Sequence, residues 1–186
     1  MTIAPRYKVL AISGSLRAAS LNSLFLTIMG QLKPDNYEFR VQQGLDKLPF
    51  FNPDHNDSPS IEILDWRQNL RDADLVIIAS PEYAHGVTAV LKNALDWVVS
   101  SGELTDKPLA VPNLSPRATR AQAQLIEIVE VMGAHYSEAC SPRSSVSEPY
   151  ILPNATIEQL YQLPGYLNRL KGLWSAINHQ LVVGST

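Results

Sequence analysis

Short continuous apolar runs alternate along this chain with longer stretches of helical spacing. Val9-Leu10-Ala11-Ile12 and Leu75-Val76-Ile77-Ile78-Ala79 carry no in/out alternation, the pattern of strands buried on both faces of a parallel sheet. Continuing from these two runs, the pattern predicts strands over Lys8–Ile12, Tyr37–Val41, Leu75–Ser80, Pro108–Asn113 and Ala134–Ala139. Helices are predicted over Asn22–Leu32, Ile61–Arg71, Thr88–Ser100 and Thr119–Met132, the last with Leu125, Ile128, Val129 and Met132 on one stripe. Gln42–Pro59 is rich in Pro, Asn and Asp and is predicted to be a long loop, and Glu138–Ala155, with Pro142, Pro149 and Pro153, a second irregular one. From Thr156 onward the chain is helical by pattern, broken at Pro164-Gly165, with Leu167, Leu170, Trp174 and Ile177 as its buried stripe.

Strands alternating with helices, without repeat or linker, imply one α/β domain over residues 1–186. Five parallel strands with crossover helices point to the doubly wound order 2-1-3-4-5. Pro112 cannot donate to a sheet ladder, so it is expected at the frayed carboxyl end of the fourth strand, next to any site on that rim. The third helix carries Val90, Leu91, Ala94, Leu95, Trp97, Val98 and Val99, more apolar surface than one sheet-facing stripe uses. Dimerisation through this helix and burial under neighbouring loops both account for the excess.

Composition narrows the class. A chain of 186 residues can bury a substantial core as one domain. Net charge is −3 with no long run of basic residues, so neither nucleic acid nor an anionic membrane is an expected partner. Apolar runs reach about five residues against the roughly 20 of a membrane span, the first residues lack a signal-peptide core, and a cytoplasmic location is the default expectation. The lone Cys140 excludes an intrachain disulfide and a thiolate metal cluster, and reads as a small semi-buried apolar residue. His55, His135 and His179 are too scattered to suggest a metal site.

Two loops that follow the apolar runs carry chemistry. Ser13-Gly14-Ser15-Leu16-Arg17-Ala18-Ala19-Ser20-Leu21-Asn22 joins the first strand to a helix start, where backbone N–H groups stabilise an anion. It lacks the glycines of a dinucleotide loop and the lysine of a nucleoside-triphosphate loop. Instead it offers the hydroxyls of Ser15 and Ser20, the guanidinium of Arg17 and the amide of Asn22, donors suited to a terminal monophosphate. The same residues also read as a serine-rich helix cap beside a solvated arginine. Pro81-Glu82-Tyr83-Ala84-His85-Gly86 follows the third strand, on the same rim of the sheet. Tyr83 suits a flat ring and the loop backbone suits polar ring edges; an ordinary strand-to-helix turn with a packed tyrosine reads equally. Taken together, a phosphate loop and a ring loop suggest flavin mononucleotide (FMN).

Gly14-Ser15-Leu16-Arg17-x-x-Ser20-x-Asn22, with Pro81-Glu82-Tyr83 and Leu91-Lys92-Asn93-Ala94-Leu95-Asp96-Trp97, closely resembles the NADPH-dependent FMN reductases, which include bacterial quinone and chromate reductases and azoreductases. The resemblance runs from about Lys8 to Tyr136. It implies a flavodoxin-like three-layer sandwich and FMN bound at a homodimer or homotetramer interface. By matching positions, Ser15, Leu16, Arg17, Ser20, Leu21 and Asn22 would bind the phosphate. Pro81, Glu82, Tyr83 and Ala84 would contact the flavin ring, with Ser115 on the next loop near it. Ala84 departs from the family's asparagine and Thr88-Ala89 from its Pro-Gly. The third loop reads Asn113-Leu114-Ser115-Pro116-Arg117-Ala118-Thr119 where serine and glycines are usual. These departures bear on affinity and on which substrate fits over the ring.

The implied activity is an NAD(P)H-dependent FMN oxidoreductase working by ping-pong, with NADPH or NADH as co-substrate and a small acceptor such as a quinone, an azo or nitro compound, a metal ion or free flavin. Glu82 and His85 are the titratable groups nearest the predicted ring and the candidate acids, although hydride transfer to a flavin requires none. His85 also reads as a solvent-facing loop residue. Arg117 is the candidate for nicotinamide-dinucleotide or substrate contact, or a solvated loop arginine. Lys92, Asn93 and Asp96 read as structural. The alternatives are an enzyme that releases reduced FMN to a partner, a flavodoxin-like FMN-binding electron carrier, for which −3 is a modest charge, and a binding module without cofactor.

Overall fold

The computed structural model describes residues 7–115, 118–142 and 154–183. Five strands, β1 (Tyr7–Ser13), β2 (Tyr37–Val41), β3 (Leu75–Ala79), β4 (Pro108–Ala110) and β5 (His135–Tyr136), form one parallel sheet in the order β2-β1-β3-β4-β5. Four helices connect them: α1 (Leu21–Gln31), α2 (Ile61–Asp72), α3 (Ala89–Asp96) and α4 (Thr119–Val131). α5 (Ile157–Gln162) and α6 (Tyr166–Val183) follow the sheet.

The alternation of side chains across the pleat divides the core in two. Val9, Ala11, Leu75 and Ile77 face one cluster with Phe25, Leu26 and Met29 of α1 and Leu170, Trp174 and Ile177 of α6. Leu10, Ile12, Val76 and Ile78 face another with Trp66 of α2, Leu91 and Leu95 of α3, and Leu125 and Val129 of α4. Both faces of β1 and β3 are covered, which is why their sequences are continuously apolar. The result is the three-layer flavodoxin-like sandwich expected from the sequence. Among the described residues no helix is long and apolar enough to cross a membrane.

Several boundaries differ from the sequence reading. β4 ends at Ala110 rather than Asn113, because the Val111 N–H donates to the Ser141 hydroxyl (2.8 Å) and the Asn113 N–H to the Pro142 carbonyl (3.0 Å). β5 stops at Tyr136 for the same reason: after Ser137 the chain turns, held by the Ser141 hydroxyl donating to the Ser137 carbonyl (2.6 Å). Pro112 lies just past the end of β4, as expected. α3 gives way to turns after Asp96; the buried Arg67 captures the Trp97 carbonyl with Nε (3.1 Å) and an Nη (2.9 Å), so the regular ladder does not continue. In α6 the buried face also takes Tyr166 and Leu173, while Leu167 is only partly buried.

The excess apolar surface of α3 is largely covered by the loop after β2. The Trp97 indole donates to the Pro49 carbonyl (2.8 Å) and its ring meets Phe51 edge-on at 5.1 Å. Asn93 accepts from the Phe51 N–H (2.8 Å) and donates to Pro49 (3.0 Å), and Lys92 pairs with Asp96 one turn on, so these three residues act structurally. Phe50 and Val99 stay exposed. Cys140 is fully buried, and burial pushes its thiol pKa up, leaving it a small apolar core residue.

Candidate cofactor site

The carboxyl ends of β1 and β3 come together where Gly14 passes Ser80. A Cβ on Gly14 would lie 2.3 Å from Ser80 Oγ and 2.7 Å from its Cβ, so only glycine permits this approach. Both backbone groups of Gly14 are used: its N–H donates to the Ala79 carbonyl (2.9 Å) and its carbonyl accepts from the buried Thr88 hydroxyl (2.8 Å). Three loops diverge from this point around a cleft of about 270 Å³.

The first wall is the loop from Ser13 and the start of α1. Ser20 is the N-cap, its hydroxyl accepting from the Ser23 N–H (3.4 Å), which leaves the Leu21 and Asn22 N–H groups without intrahelical acceptors. Asn22 is 8 % exposed, lines the cleft, and its side-chain amide has no partner among the described residues. Ser15 accepts from the Arg17 N–H (3.3 Å), and its O–H remains able to donate. Arg17 lines the cleft from an exposed position, its guanidinium donating to Asn154 Oδ1 at 3.3 Å. The Asn22 amide, two N–H groups without intrahelical acceptors, two hydroxyls and a guanidinium form a donor set without a carboxylate, which fits a phosphate. Ser20 caps the helix and also lines the cleft.

The second wall is the loop after β3. Tyr83 and Gly86 exchange N–H···O bonds (3.1 and 3.0 Å) around a two-residue turn in which Ala84 and His85 both have positive φ, 50° and 63°. Alanine is poorly suited to this left-handed position, where asparagine or glycine is favoured. We therefore expect Ala84→Gly to stabilise the protein by roughly 1 kcal/mol, read as a shift of the urea midpoint at unchanged slope. Tyr83 is about half exposed at the rim.

Glu82 lines the cleft but its carboxylate ends on α4. Oε2 accepts from the N–H groups of Arg120 (3.0 Å) and Ala121 (2.8 Å), and Oε1 meets Nδ1 of the exposed His85 (3.0 Å). The Ala121 N–H, then His85 and the Arg120 N–H, hold the Glu82 pKa below the ordinary carboxylate value despite some desolvation. A lowered folded-state pKa contributes stability that is present above about pH 4.5 and is lost as pH falls below it. Urea unfolding of wild type and Glu82→Gln should accordingly differ at pH 7, and the difference should shrink below pH 4.5.

The third wall is the loop after β4. Asn113, 4 % exposed, organises it: its Nδ2 donates to the Ala118 carbonyl (2.9 Å) and its Oδ1 accepts from the Ser115 N–H (2.9 Å). The buried Gln122 donates to the Val111 carbonyl (2.7 Å). Ser115 lines the cleft, as do Asn113, Leu114 and Ser80, which sequence reasoning did not select. Arg117 lies outside the described residues. Leu16 is exposed and does not line the cleft, and Ala84 and His85 sit in the turn beyond it.

At about 270 Å³ the cleft lies just below the usual range of ligand pockets, about 300–1,000 Å³, and suits a ligand with one face left open. A hydroxyl-lined groove of about 460 Å³ on the β2 side shares Ser15 and Arg17 with it.

Comparison with known proteins gives the family and the fold. The sequence model of the NADPH-dependent FMN reductases matches residues 7–143. The chain is similar to the NADH:(hydroxy)cinnamate reductase subunit CrdA of Vibrio ruber, 38% identical over 65% of this chain and 61% of that protein, so the match spans less than two thirds of that relative. An NAD(P)H-dependent FMN reductase of Pseudomonas aeruginosa is 33% identical over 69% of this chain and 72% of its own length. Among solved structures, the flavoenzyme NAD(P)H:(acceptor) oxidoreductase FerB from Paracoccus denitrificans shares the fold, with a TM-score of 0.73 at 23% identity over 93% of this chain and 98% of that one. The chain belongs to the NADPH-dependent FMN reductase family.

Proposed function

We propose that this protein is an NAD(P)H-dependent FMN oxidoreductase that passes reducing equivalents to a small acceptor such as a quinone. The observation that carries this reading is Asn22, a buried residue whose amide has no partner among the described residues, beside the Leu21 and Asn22 N–H groups at the start of α1 in a cleft that Tyr83 also lines. Ser15, Arg17, Ser20 and Asn22 would hold the phosphate, and the backbone of residues 81–83 with Ser115 would border the ring. When bound, FMN supplies a two-electron acceptor for hydride from a nicotinamide and a donor to the second substrate. The chain's own part is to bind and orient: the loops close one face of the cleft, and its open side leaves room for donor and acceptor in turn. Glu82 and His85 are paired to each other, so no side chain here is assigned as a proton donor.

The protein is proposed to act as a homodimer or homotetramer; Phe50, nine-tenths exposed between two residues that touch α3, and the exposed Val99 support an apolar contact there. A cytoplasmic location is part of this reading, since the proposed donor is a reduced nicotinamide dinucleotide.

The test separates phosphate from ring. Arg17→Ala should weaken FMN binding roughly 10-fold, the loss of one charge-assisted bond at an exposed site, while leaving riboflavin, which lacks the phosphate, bound as in wild type. Fluorescence quenching titrations with both flavins measure this, and equal losses for the two would place the phosphate elsewhere.

A further inference from the structure

The carboxylate of Glu82 leaves its own loop and supplies what α4 lacks. Ala118, the N-cap of α4, has no side chain able to cap, and no acidic residue lies in the first turn. Glu82 takes that role from 38 and 39 residues away, through the N–H groups of Arg120 and Ala121. A second tether runs in parallel: the Val87 N–H, past the other end of the Tyr83–Gly86 turn, donates to Gln124 Oε1 (2.9 Å). The same helix end is fixed to the third loop by Asn113 on the Ala118 carbonyl and by Gln122 on Val111. The loop after β3 and the loop after β4, which flank the cleft, are thus joined through one helix turn.

We propose that Glu82 is a positioning residue that sets the gap between the two loops flanking the flavin ring, by gripping the first turn of α4. The inference rests on the FMN reading above and deepens it. A carboxylate that accepts two main-chain N–H bonds is kept ionised, the opposite of what a proton donor to a quinone requires. Glu82 acts by length and acceptor geometry, and neither property needs a titratable proton.

The test uses the full-length protein and reads FMN affinity by fluorescence quenching, kcat and KM with NADPH, NADH and 1,4-benzoquinone, and the melting temperature. Glu82→Ala should weaken FMN binding about 10-fold or more. Glu82→Gln, which keeps an acceptor oxygen and has no acidic proton, should restore affinity to within about 3-fold of wild type and keep kcat. Should Glu82→Ala not fold, Gln124→Ala, which cuts the parallel tether and leaves Glu82 in place, should weaken FMN binding in the same direction by a smaller factor. Glu82→Gln that binds FMN normally but loses quinone turnover would make Glu82 a proton donor and overturn the proposal. Unchanged FMN affinity in Glu82→Ala, or in Gln124→Ala where that variant replaces it, would overturn it too, leaving the reductase reading intact. Wild-type protein that takes up no FMN would remove both.

Discussion

Gly14→Ala is expected to destabilise the protein by about 1–3 kcal/mol and to abolish measurable FMN retention, because the new Cβ would lie within 2.3 Å of Ser80 Oγ and 2.7 Å of its Cβ. Serine is too short to swing both atoms away, so the ends of β1 and β3 must part. That movement disturbs the Thr88 bond to the Gly14 carbonyl and shifts the first and second walls of the cleft against each other. Pairing the substitution with Ser80→Gly removes both clashing atoms, leaving a 3.2 Å contact with Leu91. The double variant should therefore be more stable than Gly14→Ala alone, a coupling that urea unfolding of the four-member cycle reads directly. Additive losses would mean that the approach of Gly14 to Ser80 is not what fixes the cleft.

Trp174→Ala should cost about 3–5 kcal/mol, the range for truncating a buried aromatic. Trp174 of α6 is 3 % exposed, meets Tyr37 at 5.1 Å and Phe39 at 5.8 Å, and its indole donates to the Met29 carbonyl (3.0 Å). Met29 lies in the last turn of α1, where carbonyls have no helical donor, so the substitution also leaves a buried acceptor unpaired. The affected residues line no part of the cleft. Under conditions where the variant remains folded, FMN affinity should match wild type, and a matching loss of affinity would tie α6 to the site.

The sequence was informative where the chemistry is local. The Ser15–Asn22 loop declares itself by residue type directly after a strand, and the structure brings Ser15, Arg17, Ser20, Leu21 and Asn22 to one cleft. Continuous apolar runs identified β1 and β3 because both faces of these strands are buried. Partners distant in sequence were not legible. Asn113 reads as the end of a strand until Ser141 and Pro142 are seen taking the hydrogen bonds that would have extended it. Glu82 reads as a titratable ring neighbour, because nothing local reveals that its acceptors are spent on Arg120 and Ala121. The apolar excess of α3 suggests a subunit contact, whereas Pro49 and Phe51 cover much of it from within the chain. The strain at Ala84 is visible only in the backbone, although its departure from the family's asparagine marks the same position.

On the proposed reading this cleft holds FMN and presents it to a nicotinamide donor. The visible spectrum of the purified, FMN-loaded protein, recorded anaerobically before and after addition of NADPH and, separately, NADH, tests it most directly. Flavin absorption should bleach with at least one donor and return on addition of a quinone; protein that cannot be loaded with FMN, or flavin that stays oxidised with both donors, would rule the reductase out.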